Sequence, residues 1–324
     1  MPAPVTADPA AAAAALRSGG LVAIPTETVY GLGADASQPA AVARVYAVKG
    51  RPADHPLILH LAGVGDLPTW CGDVPGYAEA LARRFWPGPL TLVLPRSARV
   101  GDHVTGGQAT VAVRVPQHRL TLQILALLGS AVAAPSANRF GRVSPTTAQH
   151  VQEELGGLLD ADRDLIVDGG PTRVGLESTI LDCTGAAPRL LRPGAVSEAD
   201  ATAVTGLPMA TGPGRTRAPG TLAAHYAPSA RVRVSAAAGP EQAPQQDPGL
   251  GLIAPADVRT PVGIVRLLAP ETIEAYAAGL YAALREADAL HLREVRVVLP
   301  DGGGLAAAVR DRVRRAETGS AAGQ

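Results

Sequence analysis

The residues able to do chemistry fall into short polar blocks, each set at the end of an apolar run. Pro25-Thr26-Glu27-Thr28-Val29-Tyr30-Gly31-Leu32-Gly33 follows Leu21–Ile24 and combines hydroxyls, a carboxylate and glycines. Such a loop can present donors to a small polar ligand, or it can be a well-capped turn with Thr26 as the cap. Lys49-Gly50-Arg51-Pro52 places two cations one residue apart after a helical segment. They can converge on an anion if Gly50 bends the backbone, or they can simply complement a helix C-terminus. Arg114 interrupts the apolar run Val111–Val115 and needs either a structural carboxylate or a carboxylate-bearing ligand. Ser136-Ala137-Asn138 follows the small-residue run Ala131–Ala134, with Ser144 a few residues on. Glu177-Ser178-Thr179 precedes another apolar run, and Arg192-Pro193-Gly194 ends one. His55 and His60 flank the run Leu57–Leu61, where each fits a core or a surface position. Hydroxyl, amide and guanidinium groups repeated at run ends point to convergence on one cleft.

Composition sharpens two of these positions. Of 29 basic residues only Lys49 is lysine, and Asn138 is the sole asparagine. A chain so biased against both keeps them where replacement fails, or by chance on the surface. An ammonium and a guanidinium are not interchangeable at a tight anion site.

Several elements must hold these groups. Strands are expected at Leu21–Ile24, Leu57–Leu61, Leu90–Leu94, Val111–Val115, Ala131–Ala134, Leu165–Val167, Thr179–Leu181 and Leu190–Leu191, with helices over 38–48, 76–85, 118–128 and 145–155. Many short strands with a few helices indicate an α/β class around a twisted mixed sheet. Between 206 and 230, glycines and prolines punctuate a segment that also carries Arg215, Arg217, His225 and Tyr226. A second Pro/Gln patch spans Gly239–Gly249. The remainder reads as strands Val232–Val234, Leu250–Ile253, Val262–Leu267 and Val295–Leu299 with helices over 271–289 and 305–315, a small Rossmann-like α/β unit. The expected division is 1–205, a linker 206–230, and 231–324.

The same sequence excludes other chemistry. With 29 basic against 29 acidic residues and 3% aromatics, it lacks the footprint of a nucleic-acid coat. Two cysteines make no disulfide framework, which fits a reducing cytoplasm. No run approaches the roughly eighteen apolar residues of a membrane span. The N-terminal stretch reads as a short helix rather than a signal peptide. No P-loop, HExxH or GxSxG is found, and the histidines lack metal-ligand spacing. Gly302-Gly303-Gly304 before a helix reads as a tight turn, and Asp160, Asp162 and Asp164 fail as a calcium loop because Leu165 stands where glycine is required.

PTETVYGLG, the Lys49/Arg51 pair, SAN at Ser136–Asn138, ESTI at Glu177–Ile180 and LRPG around Arg192 resemble the YrdC-like threonylcarbamoyl-AMP synthase family over residues 10 to 200. Pro219-Gly220 with His225-Tyr226-Ala227-Pro228, and the C-terminal unit, resemble the long two-domain form of that family. The resemblance implies an N-terminal YrdC-like catalytic domain, a linker that covers the active site, and a nucleotidyltransferase activity. L-Threonine, bicarbonate (or carbon dioxide) and ATP would give threonylcarbamoyl-AMP and pyrophosphate, for threonylcarbamoyladenosine modification of tRNA by a downstream transferase.

Carried over by motif, the resemblance assigns Lys49 and Arg51 to catalysis. It assigns Lys49, Arg51, Ser136, Asn138, Ser144 and Arg192 to ATP, with Thr110 and Tyr226 closing over it. His55 stands where the family motif often has Asn and takes an ATP role by position. Thr26, Thr28, His60, Arg114 and Ser178 would hold threonine. Magnesium is implied beside the triphosphate, although no side chain is assigned to it. Two other readings compete: a non-catalytic nucleotide- or RNA-binding module, with direct tRNA binding; and a carbamoyl-phosphate-using relative such as hydrogenase maturation employs. The latter would need acylphosphatase and zinc-finger portions.

Overall fold

A computed structural model describes residues 2–212, 216–220, 222–235 and 249–322. Arg215 and nearly all of the 239–249 patch, through residue 248, lie outside the described residues.

Ten strands form the first sheet: β1 (Val5–Thr6), β2 (Val22–Ile24), β3 (Gly31–Asp35), β4 (Ile58–His60), β5 (Leu90–Pro95), β6 (Thr110–Arg114), β7 (Val132–Ala134), β8 (Leu165–Val167), β9 (Thr179–Asp182) and β10 (Arg189–Arg192). Their order is β1-β8-β2-β3-β7-β4-β6-β5-β9-β10. Parallel and antiparallel pairs alternate irregularly, so the sheet is mixed as expected. The strands are buried nearly throughout, because helices cover both faces. The helices Pro9–Arg17 and Arg119–Leu128 pack one face through Ala12, Leu16, Ile124 and Leu125. The helices Pro39–Lys49 and Gly76–Phe85 pack the other through Val42, Val45 and Leu81.

The second sheet contains β11 (Arg231–Ser235), β12 (Leu250–Ile253), β13 (Val265–Leu268) and β14 (Glu294–Val298), all parallel, in the order β11-β14-β12-β13. Two long helices, Ile273–Ala289 and Leu305–Ala322, accompany it. Val262 does not join β13: Pro261 precedes it, Gly263 follows at φ +81°, and Val262 is 78% exposed in the resulting turn. The Leu305–Ala322 helix runs further than its apolar pattern predicted. The helix Glu198–Thr205, not anticipated, starts on a reciprocal Ser197–Asp200 capping box.

Each sheet has apolar clusters of its own, and one further cluster joins the two. Val29, Val143 and Leu176 of the first unit and linker Tyr226 pack in one cluster with Tyr276, Tyr281, Leu284 and Val309 of the second. Among the described residues no helix is long and apolar enough to cross a membrane. Cys71 and Cys183 are buried free thiols.

Candidate active site

The strand register brings the polar blocks together. His60 and Arg114 are direct partners at the ends of β4 and β6. Gly31 at the start of β3 bridges to Ser136 just beyond β7, and Thr179 opens β9 beside Leu90. The helix Pro39–Lys49 has proline in its first turn and ends on Gly50, whose φ of +62° reverses the chain so that the Arg51 N–H returns to the Tyr46 carbonyl at 3.0 Å. That reversal keeps the Arg51 guanidinium close enough for its charge to act on the Lys49 ammonium.

A pocket lies at these strand ends. Its walls include Thr28, Arg51, His60, Arg114, Ser178 and Arg192, with Thr26, Ser136 and Tyr226 beside them. Lys49 is buried behind this lining: its Nζ donates to the Ser136 carbonyl at 2.6 Å and to the Asn138 carbonyl. Burial foremost, then the neighbouring Arg51 charge, holds the Lys49 ammonium well below the usual lysine pKa. Asn138 turns its amide nitrogen to the carbonyls of Arg139 and Arg142, at 2.7 and 2.9 Å. Its Oδ1 is buried without a hydrogen-bond partner, as is Nδ1 of His60.

Arg114 answers to a structural carboxylate. Its Nη2 lies 2.7 Å from Glu27 Oε1, Nη1 donates to Thr28 Oγ1 at 2.9 Å, and Nε donates to the Gly88 carbonyl at 3.2 Å. A guanidinium carries five N–H donors; one remains on Nη1, and Nη2, close to Glu27 but not aligned with it, makes no hydrogen bond. Thr26 and Thr28 hydroxyls are 2.8 Å apart, and Thr26 also donates to the Val29 carbonyl at 2.6 Å. Burial, reinforced by Arg114, pushes His60 down to about 3, so its imidazole is neutral.

On the opposite wall Arg192 donates to the Ser178 carbonyl at 2.9 and 3.0 Å and to linker Pro219 at 3.0 Å. Burial lowers the Arg192 and Arg51 pKa values, the expected response of cations stripped of water. Ser144 lies just outside the lining and donates to Glu177 Oε1 at 2.6 Å. His55 and Thr110 also stand off the lining. His55 packs edge-on against Phe140, with ring centroids 5.4 Å apart, and Thr110 pairs with Pro95 at the sheet end.

Three contributors escaped sequence reading. Phe140 sits under Arg51, whose Cζ is 5.8 Å from the ring, and meets His225 at 6.1 Å. Glu177 was seen only as part of a motif, yet it walls the pocket. Arg312 was absorbed into a helix, although an arginine between Val309 and Val313 on an apolar stripe was the available signal. Among the described residues no group of three or more His, Cys, Asp or Glu could hold a metal ion, and both oxygens of Glu177 are already engaged.

Buried cations, hydroxyls and a neutral histidine at the ends of a mixed sheet define an α/β protein built to hold a small, multiply charged anion. Residues 14–194 match the Sua5/YciO/YrdC family, described as "Telomere recombination", and residues 191–318 match "Threonylcarbamoyl-AMP synthase, C-terminal domain". The chain belongs to this family. It is 42% identical over 323 residues to the threonylcarbamoyl-AMP synthase of Pyrococcus abyssi, covering 94% of this chain and 92% of that protein. It is 45% identical over 238 residues to the Bacillus subtilis protein of the same name, covering 71% and 67%. The solved structure of Pyrococcus abyssi Sua5 complexed with L-threonine superposes with a TM-score of 0.87 at 37% identity, covering 99% of this chain and 98% of that one. A variant of that Sua5 with an adjacent histidine and tyrosine replaced by alanines superposes at 0.84 with 38% identity, over 96% and 93%.

Proposed function

We infer that the chain is an L-threonylcarbamoyladenylate synthase, a nucleotidyltransferase that makes threonylcarbamoyl-AMP from L-threonine, bicarbonate or carbon dioxide, and ATP. The observation that carries this reading is a single pocket walled by three buried guanidiniums, Arg51, Arg114 and Arg192, among threonine and serine hydroxyls. Arg51 and Arg192 offer charge to a triphosphate, and Arg114, paired with Glu27, offers N–H donors to an amino-acid carboxylate. Relatives named threonylcarbamoyl-AMP synthase, and the Sua5 structure holding L-threonine, support the same assignment.

Threonine is assigned to Thr26, Thr28, His60, Arg114 and Ser178. The unengaged donors on the terminal nitrogens of Arg114 suit a carboxylate, and neutral His60 can hydrogen-bond without competing for that carboxylate as a cation. ATP is assigned to Lys49, Arg51, Ser136, Asn138, Ser144 and Arg192, with His55, Thr110 and Tyr226 around it. The threonine amine takes up carbon dioxide to form a carbamate, or bicarbonate with loss of water. A carbamate oxygen attacks the α-phosphorus of ATP, the bond from that phosphorus to the bridging oxygen breaks, and pyrophosphate leaves. Such displacements are driven mainly by positioning and charge neutralisation, which Lys49 and Arg51 supply as the catalytic pair. Magnesium travels with the triphosphate in this scheme, and no step here depends on it.

Residues 1–205 form the catalytic domain in this reading, 206–230 a linker that covers the site and shields the labile carbamate from water, and 231–324 the C-terminal domain. The enzyme works in the cytoplasm and passes its product to a tRNA threonylcarbamoyl transferase. ATP–pyrophosphate exchange tests the reading: it should require both threonine and bicarbonate. Exchange that runs equally well with either omitted would refute it.

A further inference from the structure

We propose that Arg312, on the C-terminal helix Leu305–Ala322, is a positioning residue for the triphosphate half of the site, acting through Glu177 and linker Tyr226. The inference rests on the synthase reading above and adds to it a task for the C-terminal unit.

Glu177 is the junction. Its Oε1 accepts from Ser144 at 2.6 Å, while its Oε2 accepts from the Tyr281 hydroxyl at 2.9 Å and from Arg312 Nε at 2.8 Å. Burial alone would raise the Glu177 pKa, but Arg312 and Arg192 outweigh it and hold the carboxyl at about 2. Arg312 has no exposed surface, and its remaining donors reach the Pro193 carbonyl at 3.1 Å and Asp311 at 2.5 Å.

The same guanidinium faces the linker. Its Cζ lies 5.3 Å from the Tyr226 ring, which also stacks on Tyr281 at 5.7 Å and meets His225 edge-on at 4.1 Å. Tyr226 has φ +61°, a left-handed conformation that a bulky residue holds only when its surroundings enforce it. The surroundings come from both units: the Ala227 N–H donates to the Gly141 carbonyl at 2.9 Å on one side, and the C-terminal helix supplies the other. The His225 N–H donates to the Arg315 carbonyl at 3.3 Å, and Arg315 donates to the Leu222 carbonyl. Gly319 lies so close to the linker that an added Cβ would come within 2.9 Å of Ala227.

Charge accounting gives the arrangement its consequence. Arg114 is neutralised by Glu27, and Glu177 is neutralised by Arg312. Lys49, Arg51 and Arg192 therefore keep their charge for phosphate oxygens. Without Arg312, Glu177 would keep Arg192 as its main cationic neighbour and repel the triphosphate, while the Tyr226 ring would lose the cation over it and Ser144 the charge that steadies its carboxylate partner.

Three variants test this: Arg312→Gln, Arg312→Gln combined with Glu177→Gln, and Tyr281→Phe. Each is assayed by threonine-dependent pyrophosphate release, with ATP and threonine varied separately. Arg312→Gln should raise the KM for ATP about tenfold or more while the KM for threonine stays within about twofold. The double variant, free of the stranded carboxylate, should recover at least about a third of that loss on a logarithmic scale, which a residue that merely glued two units together would not allow. Tyr281→Phe should shift the ATP KM in the same direction by less. A wild-type ATP KM in Arg312→Gln, equal rises in both KM values, or a double variant no better than the single one would overturn the proposal. If Arg312→Gln fails to fold, an unchanged ATP KM in Tyr281→Phe overturns it. Wild-type protein without threonine-dependent pyrophosphate release would instead overturn the synthase reading.

Discussion

Acid should loosen this protein through two histidines before it reaches the carboxylates. His60 and His225 are 4% and 6% exposed, and both have pKa values near 3. Burial dominates in each case; Arg114 adds to it for His60, and Lys49 and Arg51 add to it for His225 against the opposing pull of Glu177. The folded value is below the unfolded one of about 6.5, so above pH 6.5 neither state binds the proton and stability is flat. Below it the unfolded chain takes up protons that the folded chain refuses, and stability falls until about pH 3. Between pH 8 and pH 5 this costs about 2 kcal/mol for each histidine, roughly 4 kcal/mol for the pair. His118 and His150 shift in the same direction and add to the loss. Urea unfolding at pH 8 and pH 5 measures the total, and the same pair of measurements on His225→Phe isolates one contribution. The variant should lose about 2 kcal/mol less than the wild type over that interval. Identical losses in the two proteins would show that His225 is not held neutral, and the argument from burial would fail.

Three further outcomes are expected. Lys49→Met should lower kcat/KM for pyrophosphate release by about a hundredfold with circular dichroism unchanged. Lys49→Arg should not restore it, because a planar fork cannot replace a compact ammonium between the carbonyls of Ser136 and Asn138. Gly220→Ala should reduce turnover about tenfold in steady-state assays, since a linker that cannot seat over the site loses alignment. Gly220 has φ +75°, and its Cβ would fall 2.2 Å from the Tyr226 hydroxyl oxygen and 2.9 Å from Arg192.

Much of this architecture was legible because short apolar runs between turn residues have few other uses. Leu165–Val167 and Leu250–Ile253 are strands at the expected residues, and the helix over 76–85 is found as Gly76–Phe85. The two-residue β1 was beyond reach, since Val5-Thr6 becomes a strand only by pairing with β8 across the whole domain. Ser197-Glu198-Ala199-Asp200 was a readable helix start that was missed. Within the site, the rarity of lysine pointed at a residue that is in fact buried and tied to the asparagine loop. What sequence could not reveal was pairing over long separations. Arg114 demanded a partner, and nothing in the chain said it would be Glu27; Glu177 gave no sign of meeting Arg312, 135 residues away.

Gly175, at φ +75°, has no room for a methyl group because the backbone of Ala277 and Ala278 lies against it, with the Ala278 Cα 2.5 Å from where a Cβ would stand. The first unit and the helix Ile273–Ala289 thus meet main chain to main chain, with Leu176 sealed beneath. Severing this polypeptide after the first sheet would leave a greasy scar and a naked anion on the amputated piece. Anyone trimming the gene to a minimal enzyme would have to graft polar residues over Val29, Val143 and Leu176 and silence Glu177 before expecting a well-behaved fragment.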